Sequence, residues 1–361
     1  MPENKIYDYL IIGQGLAGSL LAWRLINEGK SVCVLDDGHA SSSSMVAAGV
    51  INPLAGKRFN HSPHIHVWLE AVGATYTQLS RLAKQPFLQW VDMLRLFREK
   101  DQHRYYERLS GQENIQLLIS GTFTPDHPPQ PVAAPLGGFI QKHTGYVRIP
   151  SLLAFLADWL KARQALEIAS VSSEDISVDD HGVRYGRLRA GDIIFCDGYR
   201  SMKNPWFGYL PFAPDKGEIL TLQARPGTGS AQLPDMIINA ATWLLPVDNG
   251  AFRLGSTHNH RIQDNQPAAE GIQALLEGMS RLLDHPELLT LEKSEAGVLP
   301  ATSDRQPFLG THPVHPQLHI FNGFGAHGSL TIPWYSQQMT AFLLEGKTLP
   351  ENADIKRFAR R

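Results

Sequence analysis

Cysteine is nearly missing from this chain of 361 residues: there are 2, Cys33 and Cys196. Both lie inside short apolar runs that read as buried strands, so a disulfide framework is excluded and a reducing compartment is expected. A charge excess is missing as well. Lys and Arg number 33 against 35 Asp and Glu, for a net charge of −2, and neither a polyanion nor an anionic membrane is an expected partner. Long hydrophobic runs are absent. The first apolar run ends after about seven residues in a glycine turn, too short for a signal-peptide core or a membrane span. The cytoplasm is the expected location. No internal repeat is found, and no second nucleotide fingerprint.

What is present is concentrated at the N-terminus. The run Ile6-Tyr7-Asp8-Tyr9-Leu10-Ile11-Ile12 leads into Gly13-Gln14-Gly15-Leu16-Ala17-Gly18. An amphipathic segment carrying Ala17, Leu20, Leu21 and Leu25 follows to Gly29, and then Val32-Cys33-Val34-Leu35 ends in Asp36. Strand, glycine turn, helix, strand and acid in this order make the full dinucleotide fingerprint. Gly13 permits the tight turn, Gly15 lets backbone approach a pyrophosphate, and Gly18 lets the helix pack on the sheet. Leu16 and Ala17 begin a helix whose free N–H groups and dipole favour phosphate. Asp36 is placed to accept from a ribose hydroxyl, which favours FAD or NAD over NADP. The fingerprint leaves the choice between those two open.

Beyond Asp36, a polar loop with Ser41 to Ser44 runs into Met45-Val46-Ala47-Ala48-Gly49-Val50-Ile51-Asn52-Pro53. An ordered loop beside the cofactor is expected, with Ser44, Ala48 and Gly49 against it. Val67 to Phe97 reads as helical, through Trp68, Ala71, Leu79, Leu82, Trp90, Met93 and Leu94. Residues 115 to 148 turn to short, proline-rich strand pieces, and Ser151 to Leu160 is an amphipathic helix. A buried strand Ile193-Ile194-Phe195-Cys196 closes on Asp197-Gly198. Strands dominate from 216 to 260, and one helix spans Ile272 to Leu283. The chain then returns to strand, glycine turn and helix at Leu318 to Phe321, Gly323 to Gly328, and on to about Leu344. The expected fold is α/β: a Rossmann-like dinucleotide domain (1–65, 146–212 and 293–361) interrupted by a β-rich antiparallel substrate domain (66–145 and 213–292).

Taken together, these separated pieces resemble a known family. They are the N-terminal fingerprint, Ala47 to Pro53, Cys196-Asp197-Gly198, Lys216-Gly217-Glu218, Thr242 to Pro246 through Leu254 to Thr257, the block Gly297 to Gly310, and Gly323-Phe324-Gly325-Ala326-His327-Gly328. The pattern is similar to the FAD-dependent D-amino-acid oxidase superfamily, which includes glycine oxidase, sarcosine oxidase and the FAD half of a bifunctional tRNA-modifying enzyme. The resemblance implies FAD. It places the ADP moiety on the first motif, Val171 against adenine, and the Gly323 to Gly328 turn along the flavin, whose reduced charge a helix N-terminus would stabilise. FAD is expected to be non-covalent, because the attachment cysteine of some relatives is missing. Glycine-oxidase-like members carry a carboxylate-binding arginine where this chain has Leu299, and sarcosine-oxidase-like members a lysine where it has Leu330. A bidentate arginine is not replaced by leucine, so either the substrate lacks that carboxylate or another cation binds it.

Lys57 and Arg58 are the candidate replacement cations, with Arg148 and Tyr146 behind them. His327, inside the distal glycine motif, is the candidate for a hydrogen bond to substrate or a positive charge near the ring. His61, His64 and His66 suggest a metal at first sight, but their spacing fits no common zinc pattern and no metal is expected. The resulting expectation is oxidation of a C–N bond in a small amine or amino acid by hydride transfer to flavin N5, with oxygen or another electron acceptor. Alternatives are carboxymethylaminomethyl-uridine oxidation on tRNA, an NAD(P)H-dependent reductase, and a flavin-binding protein without amine oxidation.

Overall fold

A computed structural model describes residues 6–38, 42–229, 233–261 and 263–359, so Ser41 of the serine loop lies outside the described residues. The apolar N-terminal run forms strand β1 (Ile6–Ile12), followed by helix α1 (Leu16–Asn27) and strand β2 (Val32–Asp36). β1 pairs in parallel with β2 on one side and with the strand Leu188–Phe195 on the other. Leu166–Ile168 extends the sheet beyond β2, and Leu318–Asn322 extends it beyond Leu188–Phe195, both in parallel. The antiparallel strand Phe308–Thr311 and the hairpin Ile176–Asp179/Gly182–Tyr185 complete eight strands. Apolar residues fill both faces. Ile11 and Val34 enter a core shared with helices, whereas Leu10, Ile12, Cys33 and Leu35 enter a second core with Phe195, Phe207 and Ile320. Burial on both faces is why these strands read as continuous apolar runs without alternation.

The helical side of this sheet is held by α1, Ile65–Ala83, Ile149–Lys161 and the terminal helix Gly328–Glu345. Pro333 lies inside the terminal helix. Lacking an N–H, it leaves the carbonyl four residues earlier without its helical donor. That carbonyl, on Ser329, instead accepts the buried Tyr76 hydroxyl at 2.9 Å. The Pro333 carbonyl accepts from Arg24 Nη2 at 3.2 Å, while Arg24 also donates to Ser336 Oγ (2.7 Å) and Thr75 Oγ1 (2.8 Å). One guanidinium thus ties three helices without a carboxylate, and burial pushes its pKa down to about 10.

A second eight-stranded sheet runs in the order Leu289–Leu299, Asp215–Ala224, Ala251–Gly255, Trp243–Pro246, Ile237–Asn239, Met93–Leu96, Gly138–Gln141 and Ile119–Phe123. It is antiparallel except where Ile237–Asn239 pairs with Met93–Leu96. On one face Leu220, Leu222, Leu244 and Leu254 pack with Leu275 and Met279 of the helix Ala269–Met279. The other face carries Gly217, Ile219, Trp243 and Gly297 toward the loop after β2. A three-stranded sheet of Val50–Ile51, Gly145–Val147 and Leu88–Trp90 lies between these regions in sequence.

One sequence expectation is corrected. The helix expected across Val67 to Phe97 ends at Ala83, with Lys84 in the left-handed conformation as its cap, and Trp90, Met93 and Leu94 lie in strands. Pro86 explains the break, since it disfavours helix for the residue before it. The expected segment edge at 292/293 falls inside the continuous strand Leu289–Leu299. The helix Ile65–Ala83, expected with the substrate region, packs Val72, Tyr76 and Leu79 into the core of α1 and the terminal helix.

Candidate active site

The parallel register brings the C-terminal ends of three strands together, since Ile12 pairs with both Leu35 and Phe195. Gly13, Asp36 and Cys196-Asp197 therefore meet at one edge of the sheet, where open α/β sheets bind ligands. Gly13 has φ +101°, and a Cβ there would stand 2.6 Å from the Cys196 carbonyl oxygen. At Gly18 a Cβ would stand 2.0 Å from the Gly13 carbonyl oxygen. Both positions exclude any other residue by contact with backbone. Gly15 is different: a Cβ would meet only Ser44 Oγ, at 3.2 Å, and the residue otherwise opens into a cavity.

That cavity measures ≈ 400 Å³. Gly13, Gly15, Leu16 and Ala17 line it from the first turn, and Asp36, Ser44, Val171, Cys196, Asp197 and Gly198 from the neighbouring strand ends and loops. Phe324, Gly325, Ala326 and Gly328 approach from the distal turn. Two helix N-termini, of α1 and of Gly328–Glu345, border it, and neither has an acidic residue in its first turn. Both dipoles favour negative charge there. Asp36 is positioned by its own loop: Oδ2 accepts from Gln14 N at 2.8 Å and Oδ1 from Gly38 N at 2.7 Å. Asp36 also lines the cavity, where an acid at this strand end suits a ribose hydroxyl. Ser44 Oγ accepts from Leu16 N at 3.2 Å, and so fixes the loop after β2 onto the helix start. This set of a glycine cradle, two helix starts and an acid fits an adenine dinucleotide.

Burial pushes the Asp197 carboxyl up to about 6, against a Ser201 hydroxyl bond that acts the other way. Asn322 crosses the same strand ends, donating to the Gly198 carbonyl and to Ser201 Oγ, both at 2.8 Å. Arg200 and Lys203, on the short turn after Gly198, also line the cavity, and Arg200 pairs with Asp37 at 2.7 Å. Sequence reasoning missed both cations. Their signal was the spacing of two and five residues beyond the Asp197-Gly198 strand end.

A smaller cavity of ≈ 120 Å³ shares Ser43, Ala47, Leu299, Ala326 and Ser329 with the large one. Ala48 and Gly49 line this smaller space rather than the larger. Gly49 has φ +72°, and a Cβ there would meet the Val147 carbonyl oxygen at 2.0 Å. Gly323 and Gly18 line neither cavity and act through packing; a Cβ on Gly323 would lie 2.8 Å from Thr302 Cγ2.

The expected replacement cations are elsewhere. Lys57 pairs with Glu99, Arg58 lies 5.7 Å from the Tyr105 ring, and neither lines either of these two cavities. They lie between Gly56 and Phe59, both with positive φ. Arg148 is bound to Asp248 by both nitrogens and to the Pro86 carbonyl. Tyr146 is buried with Met93, Ile237 and Leu245, packed against Ala48, Val50 and Trp243. His327 flanks the cavities without lining either and keeps solvent contact. The protein crowded around its ring, and secondarily the Arg305 charge, lowers its pKa. Of the two leucines, Leu299 faces both cavities, whereas Leu330 is buried in the helical core.

The three early histidines take separate partners. His61 meets Gln112 Oε1, His66 meets the Asn114 carbonyl, and His64 stacks on Trp334. Among the described residues, no group of three or more His, Cys, Asp or Glu is placed to hold a metal. No described helix is long and apolar enough to cross a membrane.

Comparison with known proteins agrees with this geometry. Glycine oxidase of Pseudomonas putida is 25% identical over 92% of this chain and 93% of its own. A bifunctional protein of tRNA 5-methylaminomethyl-2-thiouridine biosynthesis from Azoarcus is 25% identical over 96% of this chain but 58% of its own. The crystal structure of glycine oxidase from Geobacillus kaustophilus superposes with a TM-score of 0.82 at 22% identity, covering 96% of both chains. The model of the FAD dependent oxidoreductase family matches residues 8–342. With that match spanning nearly the whole chain, and a dinucleotide cradle built from its own glycines, this protein belongs to the DAO family of FAD-dependent oxidoreductases.

Proposed function

We propose that the enzyme oxidises the C–N bond of a small amine or amino acid. The observation that carries this reading is the small cavity, which opens from the large one at the N-terminal end of the terminal helix. Relatives with this fold include proteins named glycine oxidase and iminodiacetate oxidase. Bound FAD supplies the hydride acceptor, with oxygen or another electron acceptor restoring it. We assign Gly13, Gly15, Leu16, Ala17, Asp36, Ser44, Val171 and Cys196 to Gly198 to its ADP portion, and Phe324, Gly325, Ala326 and Gly328 to its flavin portion, with Ala48 and Gly49 at the edge where flavin and the small cavity meet.

The protein's part is to bind, orient and exclude water. Val46, Val50 and Ile219 give the small cavity apolar walls, and the hydroxyls of Ser43, Ser256 and Ser329 with the Trp243 indole are the side-chain groups able to orient an amine. The start of the helix at Gly328 favours negative charge developing beside it. Segments 1–65, 146–212 and 293–361 serve the cofactor in this reading, and 66–145 and 213–292 the substrate, apart from the helix Ile65–Ala83, which packs with the cofactor segments. No macromolecular substrate is invoked: the net charge of −2 carries no excess of positive charge for tRNA. The buried cysteines suit the cytoplasm.

The test is anaerobic mixing of the holoenzyme with amines and amino acids while the flavin band at about 450 nm is followed. Bleaching by a member of the panel is expected. A flavin that none of them reduces would refute the reading.

A further inference from the structure

The small cavity has a lining of one electrical kind. Its side chains are Val46, Val50, Ile219, Trp243, Leu299 and alanines, and the polar groups they carry are three serine hydroxyls and the Trp243 indole N–H. Among the described residues, no charged side chain lines it. Two cations stand behind its wall, and each is matched. Arg253 Nη2 donates to the carbonyl of Val46 at 2.8 Å, while Nη1 pairs with Glu295 at 3.2 Å. Lys216, beside the lining residue Gly217, is buried and pairs with Asp264 at 2.6 Å, with Glu218 at 4.0 Å. The helix start at Gly328 is the remaining positive feature, equivalent to about half a charge, and it borders the large cavity as well.

We propose that the substrate is an amine whose carbon next to nitrogen bears an uncharged group, such as an amide, hydroxyl or alkyl chain, and no carboxylate. This rests on the amine-oxidation reading above and narrows it. A carboxylate entering the small cavity would exchange bulk water for a few neutral hydroxyl and indole donors with no opposite charge available, because both nearby cations are already paired with carboxylates. A neutral group of the same shape meets the same hydroxyls and apolar walls without that penalty. The proposal therefore selects by charge at a position where size does not discriminate.

Matched pairs isolate that charge. Glycine and glycinamide, and sarcosine and sarcosinamide, are mixed anaerobically with the holoenzyme, and flavin reduction is extrapolated to high pH so that every amine is neutral. In parallel, calorimetry compares propionate with propionamide, which bind without turnover. The amides are expected to reduce flavin roughly tenfold faster or more, and propionamide to bind tighter by a similar factor. Leu299→Arg, which sets a guanidinium on the wall common to both cavities, should reverse both preferences while FAD is retained. Faster reduction by glycine or sarcosine, tighter binding of propionate, or no preference in either measurement overturns the proposal. If no amine reduces the flavin while propionamide still outbinds propionate, charge selection stands and the amine-oxidation reading fails.

Discussion

Replacing Gly15 by alanine separates cofactor binding from folding. Gly15 caps α1 with φ −66° and ψ −177°, a conformation open to any L-residue. A Cβ there would meet only Ser44, with Oγ at 3.2 Å and Cβ at 4.0 Å, so the protein itself has room for it. Alanine is a poorer N-cap than glycine, which costs about 0.5–1 kcal/mol of folding stability. The new methyl would point where the large cavity comes closest to the helix N-terminus. A pyrophosphate seated there would withdraw and lose one charge-assisted N–H bond, about 1.5–3 kcal/mol. FAD dissociation should then rise about 10- to 150-fold. Titrating apoprotein with FAD by flavin fluorescence, beside urea unfolding of the apoprotein, reads both effects. Gly18→Ala is the contrast. Its Cβ would lie 2.0 Å from the Gly13 carbonyl oxygen, so α1 must move and the fold should lose about 1–3 kcal/mol as well. An unchanged FAD affinity in Gly15→Ala, or a loss no larger than its folding defect, would refute the assignment of Gly15 to the phosphates.

Three further outcomes follow from the geometry. Tyr76→Phe leaves the Ser329 carbonyl without the hydroxyl that replaces its helical donor, so urea unfolding should report a loss of about 1–3 kcal/mol; no change would mean the carbonyl finds another donor. The Asp197 carboxyl is raised from 3.8 to about 6, so the native state holds a proton that the unfolded chain releases between those values. Stability should fall as pH rises through that window, by up to about 3 kcal/mol, and Asp197→Asn should remove this slope in urea midpoints measured from about pH 4 to about 6.5, which spans nearly all of that window. Parallel pH profiles for the two proteins would reject it. Arg58→Ala, set against Tyr105 outside both cavities, should leave KM within about twofold; a KM raised tenfold would return Arg58 to the site.

The corrected elements show where local pattern misleads. The stretch after Ala83 carries apolar residues at spacings that satisfy helix and strand alike. Gly145–Val147 pairs with Leu88–Trp90, and Gly138–Gln141 and Ile237–Asn239 with Met93–Leu96; these pairings, more than 40 residues away in sequence, settle it as strand. Lys57 and Arg58 follow the loop Ala47 to Pro53, whose first residues line the cavities, but their own partners are Glu99 and Tyr105, more than 40 residues on in sequence.

The sequence by itself determined the dinucleotide cradle, because each of its parts is local. A glycine that permits φ +101°, a helix start and an acid at the end of the next strand lie within one β-α-β unit and carry their geometry with them. It also determined the distal turn, for the same reason. What the small cavity presents to a substrate was decided only by the tertiary structure. Its walls come from the loop after β2, from three strands of the second sheet and from the start of the terminal helix, more than 280 residues apart. Whether Arg253 and Lys216 are free charges or neutralised ones depends on Glu295 and Asp264, which no spacing rule connects to them. Charge compensation is a property of distances in space, and the chain fixes those distances only by folding.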